Sequence, residues 1–202
     1  MRTSIATVCL SGGLSEKLQA IAAAGFRGVE ILENDLLSYA GTPVEVAKEI
    51  ADLGLTLITF QPFRDFEGMP DAQRRRTFDR AERKFDLMQE LGCASLLVCS
   101  NVSPEASGGI DRAAADFREL GERAAKRGLK VGFEALAWGH HIKDYRDAWE
   151  VVRRAIIRPW GWCSTASTSM PARPICGSSM RFPATAFFWC SLPTRPGSIW
   201  TC

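Results

Sequence analysis

The stretch Leu55-Thr56-Leu57-Ile58-Thr59-Phe60-Gln61-Pro62-Phe63-Arg64-Asp65-Phe66-Glu67-Gly68 joins a β-rich apolar run to a loop of charged, amide and aromatic residues. A long charged helix is predicted directly after it, from Asp71 to Leu91, with Gly92 as its stop. A strand, a polar loop and a helix in this order form one βα unit. Repetition of this unit decides the fold.

The order of strand and helix recurs five times before residue 155. Strands are predicted at residues 4–9, 28–32, 55–61, 95–99 and 130–134. Helices are predicted at 14–24, 42–53, 71–91, 110–127 and 144–154, and a Thr42–Glu45 capping box starts the second of them. Five successive units indicate a parallel sheet with right-handed crossovers.

Such units build either an open doubly wound sheet or part of a barrel. Neither GxGxxG nor GxxxxGK[ST] follows a predicted strand, which removes support for the usual nucleotide-binding open sheets. The sequence therefore predicts an α/β fold, a TIM (β/α)8-type barrel truncated to about five βα units and followed by an irregular tail.

The composition changes abruptly after Glu150. All 23 acidic residues lie at or before that position, whereas the 52 positions after it contain four of the six Trp, four of the seven Cys and six of the ten Pro. This shift divides the chain into a barrel portion, residues 1–155, and a tail, residues 156–202. Our hypothesis is that the tail is translated out of frame after an indel near codon 155. A genuine Ser/Pro/Trp-rich tail is the alternative.

The genetic code makes this hypothesis specific. Reading residues 159–168 one base earlier permits aspartate in the slot of Thr165 and histidine in the slot of Thr168. The same shift over residues 188–194 permits glutamine in the slot of Ser191. Both shifted segments read as buried strands that end in polar residues. In the printed frame, only Ala184 to Leu192 has the apolar, β-rich character of a strand.

Composition also excludes several classes of protein. The first 150 residues are net acidic, and the overall charge of +2 arises only from the six arginines after Glu150. The sequence has no basic stripe of the kind that binds nucleic acid or an anionic membrane. Every apolar run is far shorter than the 18 residues of a membrane-spanning helix, and the apolar segment near the start is too short for the core of a signal peptide. We therefore expect a soluble cytoplasmic protein. Cys9, Cys93 and Cys99 lack CxxC spacing and are predicted to be buried reduced thiols.

Polar side chains follow the predicted strands at their carboxyl ends, where barrel enzymes place their chemistry. Glu30, Gln61 and Asn101 are candidates for orienting a substrate, and they can equally satisfy neighbouring backbone groups at the barrel mouth. Glu134 closes the fifth strand, and both histidines, His140 and His141, follow it. We expect the rings of Phe63, Phe66 and Trp138 to pack against neighbouring side chains rather than to stack on a substrate.

Several of these stretches resemble bacterial 3-dehydroshikimate dehydratases of the xylose isomerase-like, sugar phosphate isomerase/epimerase superfamily. The resemblance covers residues 1–155 and rests on continuous segments of sequence, at residues 28–37, 60–68, 80–92, 98–102 and 133–141. It implies conversion of 3-dehydroshikimate, a small molecule, to protocatechuate with a divalent metal ion (Mg, Mn, Co or Zn). Such a cation stabilises charge that builds on the ketone oxygen during proton loss.

The resemblance also implies roles for single residues. Glu134 matches the first metal ligand, and Arg64 binds the substrate carboxylate, a task that suits the guanidinium fork. The other reading of Arg64 is a surface residue paired with Asp65 or Glu67. His141 is a catalytic residue at the mouth, and solvent exposure is expected for His140.

The remaining metal ligands implied by the resemblance appear only in the shifted frame or beyond Cys202. A lone carboxylate does not hold a catalytic metal, so the printed chain is expected to be inactive. Two other functions stay open. One is an isomerase or epimerase of a small sugar, sugar phosphate or hydroxypyruvate. The other is a non-enzymatic barrel fragment that aggregates or pairs with another copy as a homo-oligomer.

Overall fold

The computed structural model describes residues 3–155. Its five strands are β1 Ser4–Ala6, β2 Gly28–Leu32, β3 Thr56–Phe63, β4 Ser95–Cys99 and β5 Lys130–Glu134. Its six α-helices are α1 Leu14–Ala23, α2 Glu33–Leu37, α3 Pro43–Asp52, α4 Asp71–Leu91, α5 Gly109–Lys126 and α6 Tyr145–Ala155. The predicted out-of-frame tail and the strand at Ala184 to Leu192 lie outside the described residues.

The strands form one parallel sheet in the order β1-β2-β3-β4-β5. Each strand pairs with its neighbour in sequence, so every crossover connects adjacent strands, as in a barrel. The α/β prediction is confirmed. All carboxyl ends lie at one edge of the sheet, and the loops after them share that edge.

Local sequence explains why the elements begin and end where they do. The Thr42 hydroxyl accepts from the Glu45 backbone N–H, and the Glu45 carboxylate accepts from the Thr42 N–H, which confirms the capping box that starts α3. Helix α4 ends at Leu91, and the next residue, Gly92, has a φ of 67° that suits a residue without a Cβ atom. These two stop and start signals fix the spacing of the middle units.

The structure corrects two predictions near β1 and adds a helix. The strand predicted at residues 4–9 ends at Ala6, and Thr7–Cys9 forms a 3-10 helix. Cys9 is exposed in that turn, so the prediction of a buried thiol is wrong for Cys9, although it is confirmed for Cys93 and Cys99. Helix α2, of only five residues, was not predicted.

The core between sheet and helices is rich in aromatic rings. Phe66 is 1% exposed, and its ring centroid lies 5.3 Å from Phe63, 5.3 Å from Phe78 and 5.4 Å from Phe117. Phe66 thereby packs the β3–α4 loop against α4 and α5. Trp138, in contrast, is 65% exposed, so it does not pack as predicted. Among the residues that the structure describes, none of the helices is long and apolar enough to span a bilayer.

Candidate active site at the barrel mouth

Four polar side chains meet where β2, β3, β4 and β5 end. The Gln61 Nε2 atom donates to Glu30 Oε2 at 2.7 Å. Cys99 pairs in register with Glu134, and its thiol lies 3.5 Å from the Glu134 Oε2 atom. Glu30 and Glu134 are 2% and 8% exposed. The parallel register therefore brings two buried carboxyl groups, an amide and a thiol to one place at the mouth.

The electrostatics of this cluster are dominated by burial. The pKa of the Glu30 carboxyl is raised to about 8: burial is the largest cause, the negative charge of Glu134 adds to it, and the Gln61 hydrogen bond opposes it. Burial and the Glu134 charge also raise the pKa of the Cys99 thiol far above its ordinary value. Glu30 is consequently protonated at neutral pH, and Cys99 is a neutral thiol rather than a nucleophile.

Arg64 belongs to the same mouth. Its positive charge lowers the pKa of the Cys99 thiol against the effect of burial, which puts the guanidinium within electrostatic reach of that thiol. Arg64 is exposed, and no ion pair with Asp65 or Glu67 is found among residues 3–155. Arg80 fixes the backbone below it by donating to the Arg64 carbonyl at 3.0 Å. The guanidinium is thus anchored by its backbone and available to an anion.

Asn101 has a different position from the one expected for a substrate contact. It is 2% exposed, its side-chain amide donates to the Glu67 carbonyl at 2.7 Å, and its side-chain oxygen accepts from the Ser103 N–H at 2.8 Å. Its backbone N–H donates to Glu67 Oε1 at 2.5 Å, and its carbonyl accepts from the His140 N–H at 2.7 Å. These bonds make Asn101 a junction between three loops.

The two histidines lie at this junction rather than in the cluster around Glu30. His141 Nε2 lies 2.9 Å from the Ala106 carbonyl oxygen, and the rings of His140 and His141 stack edge to face with centroids 4.4 Å apart. Both residues are exposed, as expected for His140. His141 is therefore tied to the β4–α5 loop.

Two residues of this region were missed by the sequence analysis. Cys9 is exposed as a residue, but its sulfur is partly shielded from solvent, and this shielding and the charge of Glu30 raise the pKa of its thiol. Glu67 is 4% exposed beneath the loops, although its position in a charged loop suggested a surface residue. A signal for Glu67 was available in the phrase Phe66-Glu67-Gly68, where an apolar residue and a glycine flank the carboxylate. No local pattern in the sequence predicts that Cys9 lies near Glu30, because this depends on how the segment after β1 packs beside β2.

The described donors do not form a set that suits a metal ion. Within residues 3–155, no three His, Cys, Asp or Glu side chains converge in a way that can hold a metal. The carboxyl of Glu30 bonds to Gln61 and carries a proton, so it is a poor ligand beside Glu134. The described part of the chain therefore does not fit a catalytic metal site by itself.

A parallel sheet whose strands end in buried carboxyl groups, an amide and an arginine is the scaffold of a barrel enzyme. A family model described as xylose isomerase-like TIM barrel matches residues 18–160, and the chain belongs to this family. Over 155 residues it is 59% identical to 3-dehydroshikimate dehydratase of Pseudomonas putida, a match that covers 77% of this chain and 24% of that protein. The chain thus spans about a quarter of the length of the curated relatives it matches.

Solved structures agree with this assignment. A xylose isomerase-like TIM barrel/4-hydroxyphenylpyruvate dioxygenase fusion protein is 55% identical with a TM-score of 0.79, over 83% of this chain and 26% of that one. The IOLI protein with a binding zinc atom is 14% identical with a TM-score of 0.70, over 82% of this chain and 63% of that one. The latter similarity shows the fold alone.

Proposed function

We propose that residues 1–155 are the first five βα units of a 3-dehydroshikimate dehydratase barrel. The observation that carries the proposal is the 59% identity with the Pseudomonas putida enzyme over 155 residues. The mouth geometry supports it, because a buried amide–carboxyl pair and an arginine suit a small substrate that carries hydroxyl and carboxylate groups. Such an enzyme acts in the cytoplasm on a small molecule, and assembly into a homo-oligomer is compatible with it.

The mouth residues have distinct roles in this proposal. Arg64 binds the substrate carboxylate through its guanidinium, and Gln61 and Glu30 orient the hydroxyl-bearing ring. Glu30 is suited to donate a hydrogen bond because its carboxyl is protonated at neutral pH. His141 contributes to catalysis from the β5–α6 loop. Asn101 acts by positioning the loops that carry Arg64 and His141, since its own polar atoms are engaged with Glu67, Ser103 and His140.

Glu134 is one ligand of a divalent cation in an in-frame protein. Two further ligands implied by the resemblance fall at the positions of Thr165 and Ser191, outside the described residues, where the given frame carries hydroxyl side chains instead, and the last, a glutamate, would lie beyond Cys202. A hydroxyl is a weak replacement for a carboxylate or an amide oxygen as a ligand of a hard cation. We therefore propose that the printed chain binds no catalytic metal and lacks dehydratase activity, because residues 156–202 are read out of frame.

The experiment compares the 202-residue chain with a frame-restored protein, made by inserting one base near codon 155 and extended past codon 202 to the end of the restored reading frame. Both proteins are assayed for protocatechuate by its ultraviolet absorption, with Mg, Mn, Co or Zn supplied, and their metal content is measured. We expect product and bound metal only in the frame-restored protein. Metal binding with ketose or hydroxypyruvate turnover, and without protocatechuate, would support an isomerase or epimerase instead.

A further inference from the structure

A small cavity lies under the loops beside the mouth. It has a volume of about 10 Å³ and is lined in part by Glu67, Asn101, Ser107 and His141. These residues come from the β3–α4, β4–α5 and β5–α6 loops, so the cavity sits at the junction of three loops. Ser107 is exposed, so the cavity lies close to the protein surface.

Glu67 presents an unsatisfied oxygen at this cavity. Its Oε1 atom accepts from the Asn101 backbone N–H at 2.5 Å. Its Oε2 atom is buried and has no hydrogen-bond partner among residues 3–155. A buried polar oxygen without a partner is destabilising, and native proteins pair about nine in ten such groups or more. The Glu67 side chain therefore calls for a ligand that this junction does not supply from its own atoms.

The charges around Glu67 indicate what kind of ligand fits. The pKa of the Glu67 carboxyl is raised to about 8: burial is the largest cause, hydrogen bonds from the Asn101 and Glu67 backbone oppose it, and the negative charges of Asp116 and Asp65 add to it. On the facing helices, Arg74 and Arg112 pair with Asp116. Glu67 is protonated at neutral pH, so its hydroxyl needs an acceptor. An anion is excluded by the two aspartates, and a neutral molecule that both accepts and donates hydrogen bonds is favoured.

The volume selects among neutral molecules. A cavity of about 10–15 Å³ holds one water molecule, provided that two to four polar groups face it. Four polar residues, Glu67, Asn101, Ser107 and His141, are among those that line the cavity. Anything larger than water does not fit.

We infer that this cavity is a binding site for one buried water molecule, which hydrogen-bonds Glu67 Oε2 and links the three loops. The water completes a junction whose other bonds are those of Glu67 to Asn101 and of His141 to the Ala106 carbonyl. It keeps the loops that carry Arg64 and His141 in a fixed relation. The inference rests on the geometry of the loops and holds whether or not the chain is a dehydratase.

The test is a crystal structure of the full 202-residue chain at about 1.5 Å resolution or better, together with the E67M variant. In the wild-type protein we expect one fully occupied water within hydrogen-bond distance of Glu67 Oε2. In E67M the side chain removes the polar partner, and the water is expected to be absent. The exposed E90Q variant is the control and should retain the water.

A second measurement does not depend on crystals or on the folding of a variant. NMR measurement of magnetisation transfer from water to backbone amides in the wild-type chain should show a long-lived water molecule near the Asn101 N–H. An empty cavity, or an Asn101 amide without transfer from water, overturns the inference. If crystals soaked in Rb⁺ show Rb⁺ at the position expected for the water, the site binds a monovalent cation, and the inference is likewise overturned.

Discussion

Gln61 Nε2 donates a 2.7 Å hydrogen bond to Glu30 Oε2 and thereby ties β3 to β2 at the mouth of the barrel. The bond satisfies a carboxyl group that is 2% exposed and that faces the charge of Glu134. A protonated carboxyl in this position stabilises the sheet without placing two adjacent negative charges in the interior. The pair therefore makes stability depend on pH in a defined direction.

Substitution E30Q is expected to reduce the pH dependence of unfolding. The folded pKa of Glu30, about 8, lies above the ordinary value of 4.5, so the folded state holds a proton that the unfolded state releases between these values. The contribution of Glu30 to the free energy of unfolding is fully present below pH 4.5 and is lost as the pH rises toward 8. Between these values the free energy of unfolding falls by up to about 1.4 kcal/mol per pH unit. Urea unfolding at pH 5, 6, 7 and 8 measures the slope. E30Q should reduce the slope without removing it, because Glu67, whose pKa is also raised to about 8, contributes in the same direction. E90Q should leave the slope unchanged, and equal slopes in wild type and E30Q would contradict the assignment.

Substitution N101A is expected to destabilise the chain by about 2–3 kcal/mol, because it leaves the Glu67 carbonyl and the Ser103 N–H without their partners at a buried junction. Asn34 provides a matched control, since it is exposed on α2 and N34A removes the same atoms. Unfolding free energies from urea titration decide the comparison. A loss no greater in N101A than in N34A would show that the junction is not a source of stability.

Substitution F66A is expected to cost about 3–5 kcal/mol, because it removes a fully buried ring that contacts three other rings. W138A removes a ring that is 65% exposed and should change stability by less than about 0.5 kcal/mol. Thermal and urea unfolding of both variants measure the difference. Similar losses in the two variants would place the core elsewhere than around Phe66.

Substitution R64K in the frame-restored protein should raise KM for 3-dehydroshikimate by at least about tenfold, because the Lys ammonium cannot form the bidentate pair of a guanidinium with a carboxylate. R75K serves as the control, since Arg75 is an exposed residue of α4 for which no contact with the substrate is proposed. Steady-state kinetics with protocatechuate detection give KM and kcat. An unchanged KM in R64K would remove Arg64 from the substrate site.

Much of the fold was predictable because its signals are local. The strands β2, β4 and β5 and the helix α4 have the predicted bounds, since apolar runs and stop glycines mark them in the sequence. Helix α2 was missed because five residues carry too little periodicity to be recognised.

The candidate site was predictable only in part. Strand ends identified Glu30, Gln61 and Glu134, because parallel strands bring their carboxyl ends to one edge. The burial of Asn101 and Glu67 depends on how three loops pack over one another, and a sequence pattern does not encode that packing. The roles of Arg64, His141 and Glu134 remain predictions. Their test depends on the sequence after residue 155.

The nucleotide sequence across codons 150–195 tests the central claim most directly. If the barrel continues in the other frame, the codon of Ser164 ends in G and that of Ser167 ends in C, so that the frame one base earlier encodes aspartate and histidine. Cys190 and Ser191 must then read TGC and AGT or AGC, which gives glutamine. We predict all three. Wobble bases that encode other residues in these slots would contradict the claim that the printed chain is a dehydratase barrel read out of frame.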